Sequence, residues 1–192
     1  QQQANSLSQI FDEDMTAAHL HTALDKLRTL QTTDGSFSWY PGMQGNAYVT
    51  LEVATLLARI EKLTGYTGAH PLLSRSYGYM QQWAAKEVAE MKREEAKAKR
   101  QFTPSESQLR YLYLRCLMNS RPDANATFLI DRAAKMHKEL TMFGRALTSI
   151  ILDKADRKVE AQEGMQSLME HTVSKPQMGR YFDTYRALSA YD

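Results

Sequence analysis

Ala47-Tyr48-Val49-Thr50-Leu51-Glu52-Val53-Ala54-Thr55-Leu56-Leu57-Ala58-Arg59-Ile60-Glu61-Lys62-Leu63-Thr64 carries apolar residues at helical spacing on two sides. Val49, Val53, Leu56, Leu57, Ile60 and Leu63 form one face. Ala47, Leu51, Ala54 and Ala58 form a second face almost opposite the first. Such a helix must be covered on both sides, so the spacing predicts a helix over 47–64 that lies inside the fold. Asn46 is placed to cap its start, and Gly65 to supply the left-handed residue just past its end.

The flanking helices differ. From Asp14 to Gln31 a single stripe runs through Ala17, Leu20, Leu24, Leu27 and Leu30, and Thr32-Thr33-Asp34-Gly35 ends it. From Pro71 to Arg100 another single stripe runs through Leu73, Tyr77, Met80, Ala84, Val88 and Met91. Its second half is rich in charge and alanine, with Glu94–Lys97 and Glu95–Lys99 pairs of favourable polarity. Thr103-Pro104-Ser105-Glu106 reads as a capping box with proline in the first turn. The helix to Met118 is again two-faced: Leu109, Leu112, Tyr113 and Cys116 on one side, Tyr111, Leu114 and Met118 on the other. Arg121-Pro122-Asp123 breaks the chain, and Asp123 caps a helix bearing Phe128, Leu129, Ala133 and Met136. Glu139 to Leu152 is broadly apolar. Ala155 to His171 is amphipathic, with Val159, Met165, Leu168 and Met169 as its expected core face, and Ser174-Lys175-Pro176 closes it. Met178 to Asp192 reads as an irregular or extended segment, or a short helix near Tyr185 to Tyr191.

One-faced helices therefore alternate with two-faced ones. Stacked antiparallel helical hairpins give this pattern when one layer of helices is inside and the other outside. The expected fold class is all-α, either an open solenoid or part of an α/α toroid. No tetratricopeptide or ankyrin consensus recurs at a fixed period.

Composition agrees with a globular chain. Of 192 residues, 43% are hydrophobic and 24% charged, and 9 Gly with 5 Pro are few for the turns of an all-β protein. The net charge of +2 argues against a nucleic-acid surface, and Glu87, Glu90, Glu94 and Glu95 neutralise the basic run beside them. One cysteine excludes an intrachain disulfide framework, a Cys-rich zinc site and a redox pair. No apolar run is long enough to cross a membrane, so no membrane insertion by this segment is expected. The polar start, Gln1-Gln2-Gln3-Ala4-Asn5-Ser6, lacks a signal peptide and an initiating Met. Residues 1–13 are expected to be a polar lead-in and 14–192 a partial helical domain of a larger protein.

The non-helical stretch with most character is Thr32-Thr33-Asp34-Gly35-Ser36-Phe37-Ser38-Trp39-Tyr40-Pro41-Gly42, following Leu30-Gln31. Asp-Gly makes a tight turn, and Gly35 and Gly42 permit backbone angles that other residues resist. Phe37 and Trp39 are expected to fold back over the helix ends. The residues singled out as a structural loop are Gln31, Asp34, Gly35, Ser36, Phe37, Trp39 and Gly42.

This stretch resembles the thioester-domain region of bacterial alpha-2-macroglobulin-like proteins. There, a helix ending in Leu-Gln is followed by Asp-Gly-Gly/Ser-Phe-Ser-Trp, a glycine, and a helix opening near a threonine. Leu30-Gln31, Asp34 to Trp39, Gly42 and Thr50 occupy those places. Met178-Gly179-Arg180-Tyr181-Phe182 is similar to a later Met-Gly-x-Tyr-Trp segment, with Phe182 for the Trp. The resemblance implies an α/α toroid of about a dozen helices in a periplasmic or cell-envelope protease trap. It implies the other domains of the same parent chain, and proteases, as partners. The family's thioester joins Cys and Gln within Cys-Gly/Thr/Ala-Glu-Gln; here the only cysteine reads Cys116-Leu117-Met118-Asn119, so it is expected to be a mid-helix core thiol.

No catalytic residue, cofactor or metal ligand set is read from the chain, and it is not expected to be an enzyme. His19, His21, His70, His137 and His171 are scattered. Phe11-Asp12-Glu13-Asp14 resembles an acidic metal cluster but also suits a helix start. Asn125-Ala126-Thr127 matches a glycosylation sequon, a common chance pattern. Gln31 to Phe37 is also similar to the Gln-Trp repeat of terpene cyclases, whose Asp-rich catalytic motif is missing. The competing expectations are a toroid enzyme of glycan-active or cyclase type, and an open helical-repeat scaffold.

Overall fold

A computed structural model describes residues 13–177 and 179–182. The lead-in over residues 1–12, the acidic start at Phe11 and Asp12, Met178 and the stretch from 183 onward lie outside the described residues. Helix dominates at 69%, and the sheet present is a two-stranded hairpin, so the fold is all-α. The helices are α1 (Glu13–Leu30), α2 (Ala47–Thr64), α3 (His70–Ala98), α4 (Glu106–Leu117), α5 (Ala124–Lys135), α6 (Met142–Lys154) and α7 (Lys158–Glu170). A single 3-10 turn, His137–Glu139, precedes α6. Strands β1 (Thr172–Lys175) and β2 (Gly179–Phe182) pair antiparallel, with Lys175 opposite Gly179. The chain divides into two compact units, Gln1–Trp83 and Ala84–Asp192, with the dividing line inside α3.

In the first unit a loop ties the helices together. Leu24 of α1, Leu51, Ala54, Leu57 and Ala58 of α2, and Leu72, Leu73 and Met80 of α3 are buried. Asn46 caps α2 by accepting from the Val49 N–H at 3.1 Å, and Gly65 closes it in the left-handed region at φ 72°. The expected double coverage of α2 is not met. Its Leu51/Ala54/Ala58 face is buried, and on the other face Leu57 is buried and Val49, Val53 and Ile60 half-buried, but Leu56 is 56% and Leu63 83% exposed.

The second unit is layered in the ordinary way. α6 packs against α4, α5 and α7, and α4 also packs on α5. Leu109, Tyr111, Leu112 and Leu114 of α4 are all buried, as its two-faced pattern requires. Leu129, Ile130 and Ala133 of α5 join Leu147, Ile151 and Leu152 of α6 in the core. Asp123 caps α5 through the Ala126 N–H at 2.8 Å.

Three expectations are corrected in this unit. The capping box lies two residues later than read, with Ser105 as the cap. Ser105 Oγ accepts from the Gln108 N–H at 3.2 Å, and Gln108 Oε1 accepts from the Ser105 N–H at 2.9 Å. Glu106 instead pairs forward with Arg110 at 2.7 Å. Glu95 does not pair with Lys99, because α3 ends at Ala98 and Lys99 turns to φ 53°. It binds Arg132 at 2.8 Å and accepts from the Phe102 N–H at 2.8 Å, whereas Glu94–Lys97 forms at 2.7 Å as read. Finally, α7 buries Ala161, Gly164 and Leu168, leaving Val159, Met165 and Met169 exposed. The reason is close approach: a Cβ on Gly164 would lie 2.6 Å from Ser149 Oγ of α6. Small residues let the two helices meet, and that overrides the larger apolar side chains.

Candidate functional site

The stretch singled out in the sequence forms one corner between α1 and α2. Backbone bridges pair Gln31 with Phe37 and Phe37 with Asn46, so three passes of the chain lie side by side. The Thr32 N–H donates to the Ser36 carbonyl at 2.8 Å, and the Gly35 N–H to the Thr32 carbonyl at 3.1 Å. Gly35 stands at φ 91°, and a Cβ there would lie 2.4 Å from the Arg75 carbonyl oxygen of α3. Only glycine meets both conditions.

Asp34 organises the turn. Its Oδ1 accepts from the Ser36 hydroxyl at 2.6 Å, the Thr32 hydroxyl at 2.5 Å and the Ser36 N–H at 3.0 Å. These donors, Ser36 foremost, hold its carboxyl below the usual carboxylate range. Burial, with the Asp34 charge second, pushes the Tyr79 phenol up. Gly45 leaves room for this arrangement, because a Cβ there would overlap Ser36 Oγ at 1.6 Å.

Gln31 links the corner to α3. Its Nε2 donates to the Leu72 carbonyl at 2.9 Å and Ser76 Oγ at 3.0 Å, and lies 3.2 Å from the Gly35 carbonyl. Arg75 donates from the same helix to the Thr32 carbonyl at 3.0 Å and the Thr33 carbonyl at 3.2 Å. Phe37 is fully buried, and its N–H donates to Thr50 Oγ1 at 2.7 Å. The threonine hydroxyl in turn donates a hydrogen bond to the Asn46 carbonyl at 2.7 Å.

Five of the seven singled-out residues thus work together: Gln31, Asp34, Gly35, Ser36 and Phe37. Trp39 does not fold back as expected; it is 58% exposed, and Tyr40 and Met43 are exposed beside it. Gly42 has φ 81° in an open turn. The backbone turns outward after Ser38, whose hydroxyl donates to the Tyr40 carbonyl at 2.8 Å, and this carries the indole away from the core. Thr32, Gly45, Arg75 and Ser76 escape a sequence reading, because threonine, arginine and serine acquire these roles only through distant neighbours. Ser36 and Phe37 are fully buried and Ser38 nearly so, whereas Thr33 and Asp34 at the tip of the turn are exposed.

The cavities of the second unit include two lined by groups of chemical interest. One, of about 480 Å³, is lined by His137, Glu139, Glu160, Glu163, Gly164 and Ser167 among others. Burial holds the His137 imidazole below its usual value; it hydrogen-bonds the Arg145 backbone, and its Nε2 has no partner among the described residues. Glu160 is tied to Arg157 at 2.6 Å. The other, of about 240 Å³, is lined by Leu112, Cys116, Asn119, Ile130 and Ile151 among others. Cys116 is half-buried one residue from the end of α4, so it is not the mid-helix core thiol expected. Among the described residues no group of three His, Cys, Asp or Glu side chains is placed to share a metal ion. His21 pairs with Asp25 at 2.9 Å and His70 with Glu61 at 3.0 Å, each at the surface. No helix among the described residues is long and apolar enough to cross a membrane. No protein-family model and no curated protein matches this chain.

Proposed function

We propose that this chain is a non-catalytic helical segment of an alpha-2-macroglobulin-like, protease-trapping envelope protein, without a thioester motif of its own. The observation that carries the reading is the hydrogen-bonded Gln31–Phe37 corner, with Gly35, Ser36 and Phe37 buried in it. In the resembling sequences the same residue string joins the same kind of helices, and here each member of the inner string has a structural task. Gln31 ties the corner to α3, Asp34 and Ser36 lock the turn, and Phe37 fills the core beneath it. The exposed Leu56 and Leu63 on the outer face of α2 accord with an arc of helical hairpins belonging to a larger α/α toroid. On this reading the parent sits in the periplasm or cell envelope. Its other domains are the partners of this segment, and proteases are the targets of the whole. Cys116 lines a cavity at a helix end with Asn119 in place of the required glutamine, and takes no part in capture.

The test is methylamine labelling of the full parent protein, followed by mass spectrometry, together with protease capture assays. Capture of protease is the expected result; methylamine on an upstream Cys–Gln pair identifies the covalent form. No capture of any protease ends the reading.

A second reading, a toroid enzyme acting on glycans or by cyclisation, draws on the cavity lined by His137, Glu139, Glu160 and Glu163. It requires turnover that is lost in Glu163→Gln while the helix content stays unchanged.

A further inference from the structure

The charged second half of α3 is not neutral on every side. By sequence, Glu87, Glu90, Glu94 and Glu95 are set against its basic run, but the structure directs them elsewhere. Glu90 pairs with Arg93 at 3.0 Å and Glu94 with Lys97 at 2.7 Å. Helical spacing puts Glu87, Glu90 and Glu94 on the side of α3 away from Lys92, Ala96 and Lys99. Glu95 shares the face of Lys92 and Lys99, but Arg132 holds it at 2.8 Å and the Phe102 N–H donates to it at 2.8 Å.

A cavity of about 340 Å³ opens on this face, lined by Lys92, Glu95, Ala96, Lys99, Arg100 and Gln101. Lys99 turns the chain at φ 53°, so Arg100 and Gln101 line the same cavity as the helix before them. Three cations thus face one carboxylate, and a fourth cation already holds that carboxylate. Among the described residues Lys92, Lys99 and Arg100 have no carboxylate partner. Aromatic rings position two of them instead. Lys92 Nζ stands 4.6 Å from the centre of the Phe128 ring, and the Arg100 guanidinium 4.9 Å from that of Phe102. A ring face holds a cation without cancelling its charge. Phe128 also faces the Arg132 guanidinium at 5.1 Å. Arg132 is 10% exposed, and its Nε has no partner among the described residues, so the inner end of the cluster is short of acceptors too.

The carbonyl end of α3 draws cations by itself, but that effect fades within the last turn, and Lys92 lies before it. Converging cations without a counter-charge, one of them a planar fork, suit an oxyanion. A phosphoryl group, with a charge of about −1.5 to −2 at neutral pH, matches the excess better than a single carboxylate. The cavity is of small-ligand size, at the low end of about 300–1,000 Å³.

We infer that the cavity at the end of α3 binds a phosphoryl group, with the Arg100 fork taking two of its oxygens and Lys92 and Lys99 balancing its charge. The group belongs to a free small phosphate or to a lipid headgroup. This holds independently of the family reading above.

Titration of the 192-residue chain with inorganic phosphate at constant ionic strength, read by amide chemical shifts, tests it. The expected result is saturable shifts confined to the amides from Lys92 to Phe102. Arg100→Gln should weaken binding at least about tenfold, and Lys92→Gln and Lys99→Gln about threefold each. Arg100→Lys keeps the charge, loses the fork and should fall between. Glu94→Gln, on the far side of the helix, should leave the affinity within about twofold. Far-UV circular dichroism should stay unchanged throughout, since these side chains are exposed. Parallel titrations with glycerol 3-phosphate and with phosphatidylcholine vesicles carrying phosphatidic acid identify the source: the tighter of the two names it, and either upholds the site. Shifts that never saturate, or that chloride reproduces, overturn the proposal. Binding that survives Arg100→Gln overturns it too, as does a chain that binds only a duplex oligonucleotide.

Discussion

Two corners of this molecule do the same job by different physics. The corner from Gln31 to Asn46 reverses the chain between α1 and α2 with hydrogen bonds: three passes of backbone, one carboxylate and a buried phenylalanine beneath. The corner from Met136 to Thr141 reverses it between α5 and α6 with a single 3-10 turn and an imidazole packed against Gly164. Arg145 braces that turn by donating to the Leu140 carbonyl at 3.1 Å and the Lys138 carbonyl at 2.5 Å. In the first corner every donor named at the Asp34 carboxylate finds its acceptor. In the second, His137 Nε2 is buried without a partner among the described residues. The first corner is not complete either, since Gln31 Oε1 is buried without a partner among the described residues, but its loop supplies most of its own acceptors and donors, whereas the short turn draws its brace from Arg145 of the next helix.

The largest test of this contrast is truncation at the first corner. Phe37→Ala removes a fully buried ring and should cost about 3–5 kcal/mol of unfolding free energy in a denaturant titration. Trp39→Ala, two residues along and exposed, should change it by no more than about 0.5 kcal/mol. Equal losses would mean that the indole is packed as the sequence reading expected.

At the second corner, Gly164→Ala places a Cβ 2.6 Å from Ser149 Oγ and 3.1 Å from His137 Nε2. Over-packing of this kind should cost about 1–3 kcal/mol and raise amide exchange in α7 before α4. Uniform exchange across both helices would show that the contact is not specific to the turn.

The smallest effects are in pH, and they separate the corners by where they begin. His137 has a folded value below its unfolded 6.5, because burial disfavours the cation. Its contribution is therefore fully present above 6.5 and is lost as pH falls from 6.5 through the lower folded value. Asp34 has a folded value below its unfolded 3.8, because hydroxyl and amide donors favour the anion. Its contribution is present above 3.8 and is lost only as pH falls below that. Solvent screening of the exposed Asp34 carboxylate keeps the loss modest, about 1 kcal/mol in Asp34→Asn at neutral pH. Amide exchange read at successive pH values should loosen the His137 turn first and the Asp34 corner later. The reverse order would break the comparison.

Much of the fold was legible in the residues. Single stripes such as Leu73, Met80, Ala84 and Val88 are buried as their spacing requires, and Asn46 and Asp123 cap the helices they precede. Asp-Gly marked the turn of the candidate site. What failed did so for identifiable reasons. Two overlapping cap patterns, Thr103–Glu106 and Ser105–Gln108, compete in one stretch, and the later one holds because Gln108 reaches back while Glu106 pairs forward. Val159, Met165, Leu168 and Met169 looked like a core face, yet of these only Leu168 is buried, with Ala161 and Gly164 beside it. Periodicity counts apolar positions and is blind to how closely two backbones approach.

The residues alone determine that this chain is helical, where its helices start and stop to within a few positions, and which loop is structured. Those properties follow from local spacing, capping and turn chemistry, which act over three or four residues. Only the tertiary structure decides which apolar faces are covered. α2 has two such faces by sequence, and the fold buries Leu51 and Ala54 while leaving Leu56 and Leu63 exposed. The hydrophobic effect is non-directional: it asks that both faces be covered and leaves the choice of partner to the surfaces that meet.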